Sequence, residues 1–257
     1  MDKYESDLLP DLLKEHGISP SKFKHLCISE LKKNERLQAA FIESPMSLFA
    51  SILFLAEVGL SPDESIGEAF LMPFKDSSGK PSIKPIIGYH GVIKVIHRSG
   101  LVKSIDTNCV FNKDEFIYEL GINPILRHIP SAEAIKKSEN FRFAYSICHL
   151  TNGMTIFRVM SMSEILSVRD MAKTTNHLFF NDKKDPNFWM PQKTVLKQLA
   201  KLLPKDFYGS KALQYDSALE GGASLTLDDS NAPKLIEDTL VIPKRYRNIY
   251  ETFSNNE

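Results

Sequence analysis

The chain has 257 residues, 42% hydrophobic and 25% charged, with 32 basic side chains (Lys and Arg) balanced by 32 acidic ones (Asp and Glu). A zero net charge offers no global argument for a polyanionic partner, and the length suits one large domain or one domain with appendages. Cys27, Cys109 and Cys148 are odd in number and far apart in apolar settings, which excludes a disulfide framework and reads as reduced core residues of a cytosolic protein.

The opening MDKYESDLLP shows no charged-then-apolar leader. The next segment, SPSKFKHLCISELKKNERLQAAF, reads as helix with interruptions, with Ser19 or Ser21 as its N-cap and Phe23, Leu26, Leu31, Leu37 and Phe41 along one side. A second helix starts at Pro45 and stops at Gly59. Its apolar run, Leu48 to Ala56, is too short to span a bilayer and reads as a buried helix. EAFLMPF and SIKPIIGY are two extended segments around the turn KDSSGKP. In IIGYHGVIKVIHRSG the period changes from strand to helix at Gly88 to Gly91. Glycines there permit close backbone approach, and the first helical turn offers unpaired N–H groups that suit an anion. The same residues also describe a plain tight turn with Gly100 as the helix stop.

Strands follow at SIDTNCVF and EFIYEL, then a loop from Asn123 to Asn140. FRFAYSICHL and MTIFRVM flank Asn152-Gly153, the pair of a two-residue hairpin turn, so the sheet is antiparallel. Ser161 or Ser163 caps the helix SEILSVRDMA. Lys173 to Asn187 has no period and reads as a mobile loop. A strong helix then runs from about Pro191 to Leu203 and is stopped by Pro204. SLTLDDSNAPKLIEDTL reads as a linker or weakly ordered tail, and IPKRYRNIYETF as a small docking motif. The expected fold is α+β: antiparallel hairpins packed with helices, a helical N-terminal segment and a flexible acidic tail. The expected divisions are 1–45 for oligomer contacts, 46–210 for the core and 211–257 for the tail.

The charges are unevenly distributed. From Leu71 to Lys113, Lys75, Lys80, Lys84, Lys94, Arg98, Lys103 and Lys113 face only Asp76 and Asp106. From Gln192 to Lys211, five lysines face Asp206 alone. From Asp216 to Asp238 the sign reverses, with Lys234 alone among six acids. A basic body with an acidic tail fits a polyanion binder. Lys193, Lys197 and Lys201 recur every four residues opposite Val195, Leu196, Leu199 and Leu202, and this gives a ladder of charge with a rise of about 6 Å per step. Such a ladder is a phosphate track, or the ordinary wet face of an amphipathic helix. Among the aromatic residues, Tyr89 in the glycine-rich join is the candidate for stacking on a base, and most others read as core.

Support for catalysis is poor. No GxxxxGK[ST], HExxH, CxxC pair or GxSxG occurs. Asp63, Glu64 and Glu68 cluster in SPDESIGEAF, where turn and cap acids compete with a Mg²⁺ site. No catalytic residue, metal or cofactor is assigned.

VGLSPDESIGEAFLMPF, IIGYHGVIKVIHRSG, DEFIYELG with LRHIP, FRVMSMSEILSVRD and WMPQKTVLKQLAKLLP together resemble the RecT family of phage single-strand annealing proteins, over about Ser44 to Lys205. The resemblance implies ATP-independent annealing of complementary DNA strands in recombination, with binding of single-stranded DNA and of the annealed duplex. It implies homo-oligomeric rings or helical filaments and a 5′ to 3′ exonuclease partner, with a host single-strand binding protein as a further candidate and no membrane. The setting it implies is the cytoplasm of a bacterial host, with a phage or prophage source. Gly88, Tyr89, Gly91, Arg98, Ser99 and Gly100 fit the family pattern, whereas His90 and His97 stand where a stronger base is usual. Lys193, Thr194, Lys201 and Pro204 also fit, and Gln192 and Gln198 replace bases there. The DNA-binding set expected from residues and resemblance is Lys84, Tyr89, His90, Lys94, Arg98, Lys103, Lys193, Lys197, Lys201 and Lys205. Lys94 enters only through its i,i+4 relation to Arg98. The alternatives are a passive single-strand coating protein and a metal-dependent nuclease using Asp63, Glu64 or Glu68.

Overall fold

The computed structural model describes residues 8–75, 79–171, 179–220, 224–227 and 233–236. Lys173 and His177 of the expected loop, Asp76 of the turn after Lys75 and the aromatic segment IPKRYRNIYETF lie outside the described residues. Eight helices and nine strands are present among the described residues, every paired strand is antiparallel, and the fold is α+β. The chain divides into two compact units, Met1–Gly91 with Phe207–Glu257, and Val92–Asp206.

In the first unit α1 (Leu8–Glu15), α2 (Pro20–Lys33) and α3 (Glu35–Glu43) lead the chain. Ser19, not Ser21, caps α2, its hydroxyl accepting the Lys22 N–H at 3.5 Å. Asn34 breaks the helical run because its extended backbone ends α2 while its side chain accepts the N–H groups of Arg36 and Leu37 to start α3. α4 (Pro45–Val58) is buried along most of its length and ends at Gly59 as its sequence indicates. It covers β2 (Pro81–Ile87), which pairs with β1 (Ala69–Lys75) from Ala69↔Ile87 to Lys75↔Pro81. Two helix hydroxyls complete β2: Ser47 Oγ accepts the Ile83 N–H at 2.8 Å, and Ser51 Oγ donates to the Ile83 carbonyl at 3.0 Å. Buried serine on α4 is therefore satisfied by the strand it packs on.

The same unit contains α8 (Phe207–Glu220), a helix the sequence reading did not anticipate. Its buried Ala212, Tyr215 and Leu219 share one side, Tyr215 lies 4.3 Å ring to ring from Phe54 of α4, and Lys211 pairs with Glu57. Within the segment read as linker or tail, β8 (Ser224–Leu227) and β9 (Pro233–Ile236) pair antiparallel and pack on α4.

α5 (Tyr89–His97) leads into the second unit, whose centre is the sheet β3 (Val102–Phe111), β6 (Phe141–Leu150) and β7 (Thr155–Ser161), in the order β3-β6-β7. α6 (Met162–Met171) and α7 (Trp189–Ala200) pack on this sheet around Phe111, Phe141, Ala144, Met160, Ile165, Phe188 and Val195. The β6–β7 hairpin closes on three residues, not two: Leu150 N–H donates to the Met154 carbonyl at 2.8 Å, and Gly153 takes φ 86. A left-handed third residue is the geometry of a three-residue hairpin loop, and Asn-Gly serves it as well as the shorter turn.

The expected Asn123–Asn140 loop contains β5 (Ile125–Ile129), which pairs with β4 (Glu115–Glu119). The rings of this hairpin meet β6, with Phe116 stacked 5.7 Å from Tyr145 and Tyr118 5.9 Å from Phe143. Its base is tied by Asp114, whose carboxylate accepts the Phe111 and Ser131 N–H groups and contacts His128 Nε2 at 3.2 Å. The other ring nitrogen, Nδ1, lies 3.1 Å from the Tyr145 hydroxyl. Burial acts to raise the pKa of Asp114, but these bonds and the imidazole outweigh it and hold the carboxyl below its ordinary value.

Candidate nucleic-acid interface

The β2–α5 join is shaped by close packing within the chain. Gly88 N–H donates to the Glu68 carbonyl at 2.8 Å. A Cβ on Gly88 would lie 2.1 Å from the Gly67 carbonyl oxygen, and one on Gly91 would lie 2.1 Å from that of Glu68. The close approach that these glycines permit is therefore to residues 67–68 of the protein itself. Tyr89 is half-buried with its ring edge-on to His90 at 5.4 Å, and His90 is exposed. Lys84 sits in β2 at 7% exposure with its ammonium 5.7 Å from the Phe74 ring centre. Burial removes Lys84 from the exposed set expected from sequence.

In the second unit one contact links the two basic segments: Arg98, just beyond α5, places Nε 3.2 Å from Asp206 Oδ2, the one acid of the later segment. Lys94 is half-buried, and Lys103, at the start of β3, is exposed. On α7 the ladder is interrupted: Lys193 is half-buried, Lys197 is only 6% exposed and Lys201 is exposed, while Leu202, expected on the apolar side, is exposed too. A row of residues four apart drifts by about 40° per step at 3.6 residues per turn, so Lys197 swings into the packed side of a helix covered over most of its circumference. Lys205 folds back and donates to the carbonyls of Ala200 at 2.6 Å and Leu203 at 2.8 Å, closing the helix end. Burial lowers its pKa.

The α7 N-terminus is occupied by Asp185, a residue the sequence reading passed over. Its two carboxylate oxygens accept the Trp189 and Met190 N–H groups at 2.8 and 2.9 Å, which explains why the helix starts before Pro191. An aspartate four residues ahead of a helical run was the available signal. Asp206, the partner of Arg98, was visible in sequence only as the one acid among lysines.

The acids weighed as metal ligands serve the loop that carries them. Asp63 accepts the Ser65 N–H and hydroxyl, and those bonds lower its pKa, while Glu68 accepts the Ser61 N–H at 2.8 Å. Among the described residues no group of three His, Cys, Asp or Glu side chains is placed to hold a metal ion. Burial raises all three cysteine pKa values, Cys27 to about 12, as suits core thiols. No single helix among the described residues is long and apolar enough to cross a membrane.

A family model described as the RecT family matches residues 21–226. The chain belongs to the RecT family. It is also 30% identical over 200 residues to Protein RecT of Escherichia coli (strain K12), a match covering 77% of this chain and 71% of that protein. Membership places it among the single-strand annealing proteins of DNA recombination. The family match reaches further than the resemblance read from sequence, taking in α2 and α3 at one end and α8 at the other.

Proposed function

We propose that this RecT family member anneals complementary single strands without ATP, holding their backbones along a basic surface while the base edges stay open to the complement. The observation that supports the reading, beyond family membership, is the ion pair of Arg98 with Asp206, which links two basic segments distant in sequence, while Lys103 and Lys201 of those segments are exposed. The outward phosphate contacts are Lys94, Lys103, Lys193 and Lys201, with Arg98, Tyr89 and His90 supporting them. Lys84, Lys197 and Lys205 act on the fold. Contacts to the backbone give affinity without reading sequence, as annealing requires. Duplex stacking, about 1.4 kcal/mol per step, drives the product, so no nucleotide hydrolysis is needed and the protein acts without a catalytic residue. It works as a homo-oligomer on DNA, supplied with single strands by a 5′ to 3′ exonuclease in the cytoplasm of a bacterial host.

The test mixes the protein with one oligonucleotide, adds a labelled complement without ATP, and follows duplex formation against a non-complementary control. Complement-dependent acceleration is expected. Binding without acceleration would leave a coating protein, and Mg²⁺-dependent loss of the strand would mean a nuclease.

A further inference from the structure

We propose that Trp189 is a base-stacking residue, its indole receiving an unpaired base while Lys193, one turn along α7, holds a neighbouring phosphate; this rests on the single-strand binding proposed above. Trp189 is the only tryptophan in the chain and is 46% exposed, although it opens a helix whose next turns are packed into the core. Leaving so much indole in water is unfavourable, and the local backbone enforces it. Phe188 takes φ 56, a left-handed conformation that a bulky residue adopts only when its surroundings require it. That turn buries the Phe188 ring at 2% exposure against Phe111 and Phe141, while the following residue faces outward. Asp185 holds the Trp189 and Met190 N–H groups, so the indole is mounted on a fixed platform.

The row Trp189, Lys193, Lys197 begins exposed and ends in the core, so only its first two members offer surface to a ligand. An aromatic face followed four residues later by an ammonium places a stacking surface and a cation about 6 Å apart along the helix. That pairing suits one nucleotide of a single strand, whose base has a π-face whatever its identity.

Because Trp189 is unique, its emission reports on the site in the unmodified full-length protein. An oligo(dT) strand is expected to quench it, and an abasic strand of equal length is not. Wild type should bind oligo(dT) more tightly than the abasic strand, with the Trp189 share of that preference roughly fivefold to a hundredfold, the range for one stacked base. Trp189→Ala should lower the ratio by that share, Trp189→Phe should restore most of it, and Lys193→Ala should weaken both strands alike. Equal quenching by the two strands, or an unchanged ratio in Trp189→Ala, overturns the proposal. Should Trp189→Ala fail to fold, the wild-type quenching contrast decides by itself. Failure of wild type to bind either strand would instead sink the single-strand binding on which the proposal rests.

Discussion

Gly91 and Lys197 show how neighbours fix the meaning of a residue type. A glycine pair at a strand-to-helix join fits a phosphate cradle, yet the space a side chain would take at Gly91 is filled by the Glu68 carbonyl at 2.1 Å. Gly91→Ala should therefore act on stability, lowering it by about 1–3 kcal/mol through overpacking against backbone that cannot easily move. Urea unfolding reads this directly. A stable Gly91→Ala variant with reduced DNA affinity would return the glycine to the phosphate reading. At this scale the sequence offered residue types and spacings, but whether carbonyl or solvent stood opposite Gly91 depended on residues 67–68, which no local pattern connects to it.

At the scale of elements, the strongest helix of the sequence is present within a few residues of its expected bounds, and so are the hairpin around Asn152-Gly153 and the two extended segments that form β1 and β2. What periodicity could not give was the environment of each helix face. α7 lies against β3, β6 and β7 and against α6, so a side that reads as wet by its lysines is partly enclosed. The salt dependence of binding separates the two lysines. Lys201→Ala should flatten the slope of log K against log salt by about one unit, the share of one phosphate contact. Lys197→Met, at 6% exposure, should leave the slope unchanged. A flattened slope in Lys197→Met with the fold intact would return it to the phosphate track.

For the whole molecule, the chain closes on itself through residues far beyond the motifs. α8 returns to the unit built by the N-terminal helices, where Tyr215 is fully buried beside Phe54 and Lys211 meets Glu57. Tyr215→Ala should cost about 3–5 kcal/mol, the range for emptying a buried aromatic site, and a chain ending at Asp206, which lacks α8, should lose cooperative unfolding of that unit. Thermal or urea unfolding checks both, and a truncated chain as stable as the full one would contradict the packing role. Local period, turn chemistry and motifs kept in order were enough for the α+β class, the buried character of α4, the hairpin at Asn152-Gly153, the thiols as core groups and the family. The tertiary structure alone decided that α8 belongs with the first helices, that Lys84 and Lys197 face inward, that Arg98 meets Asp206, and that Trp189 stays in water. Each of those depends on which distant backbone or ring occupies the other side of a residue, and burial and charge pairing act through space without regard to separation along the chain.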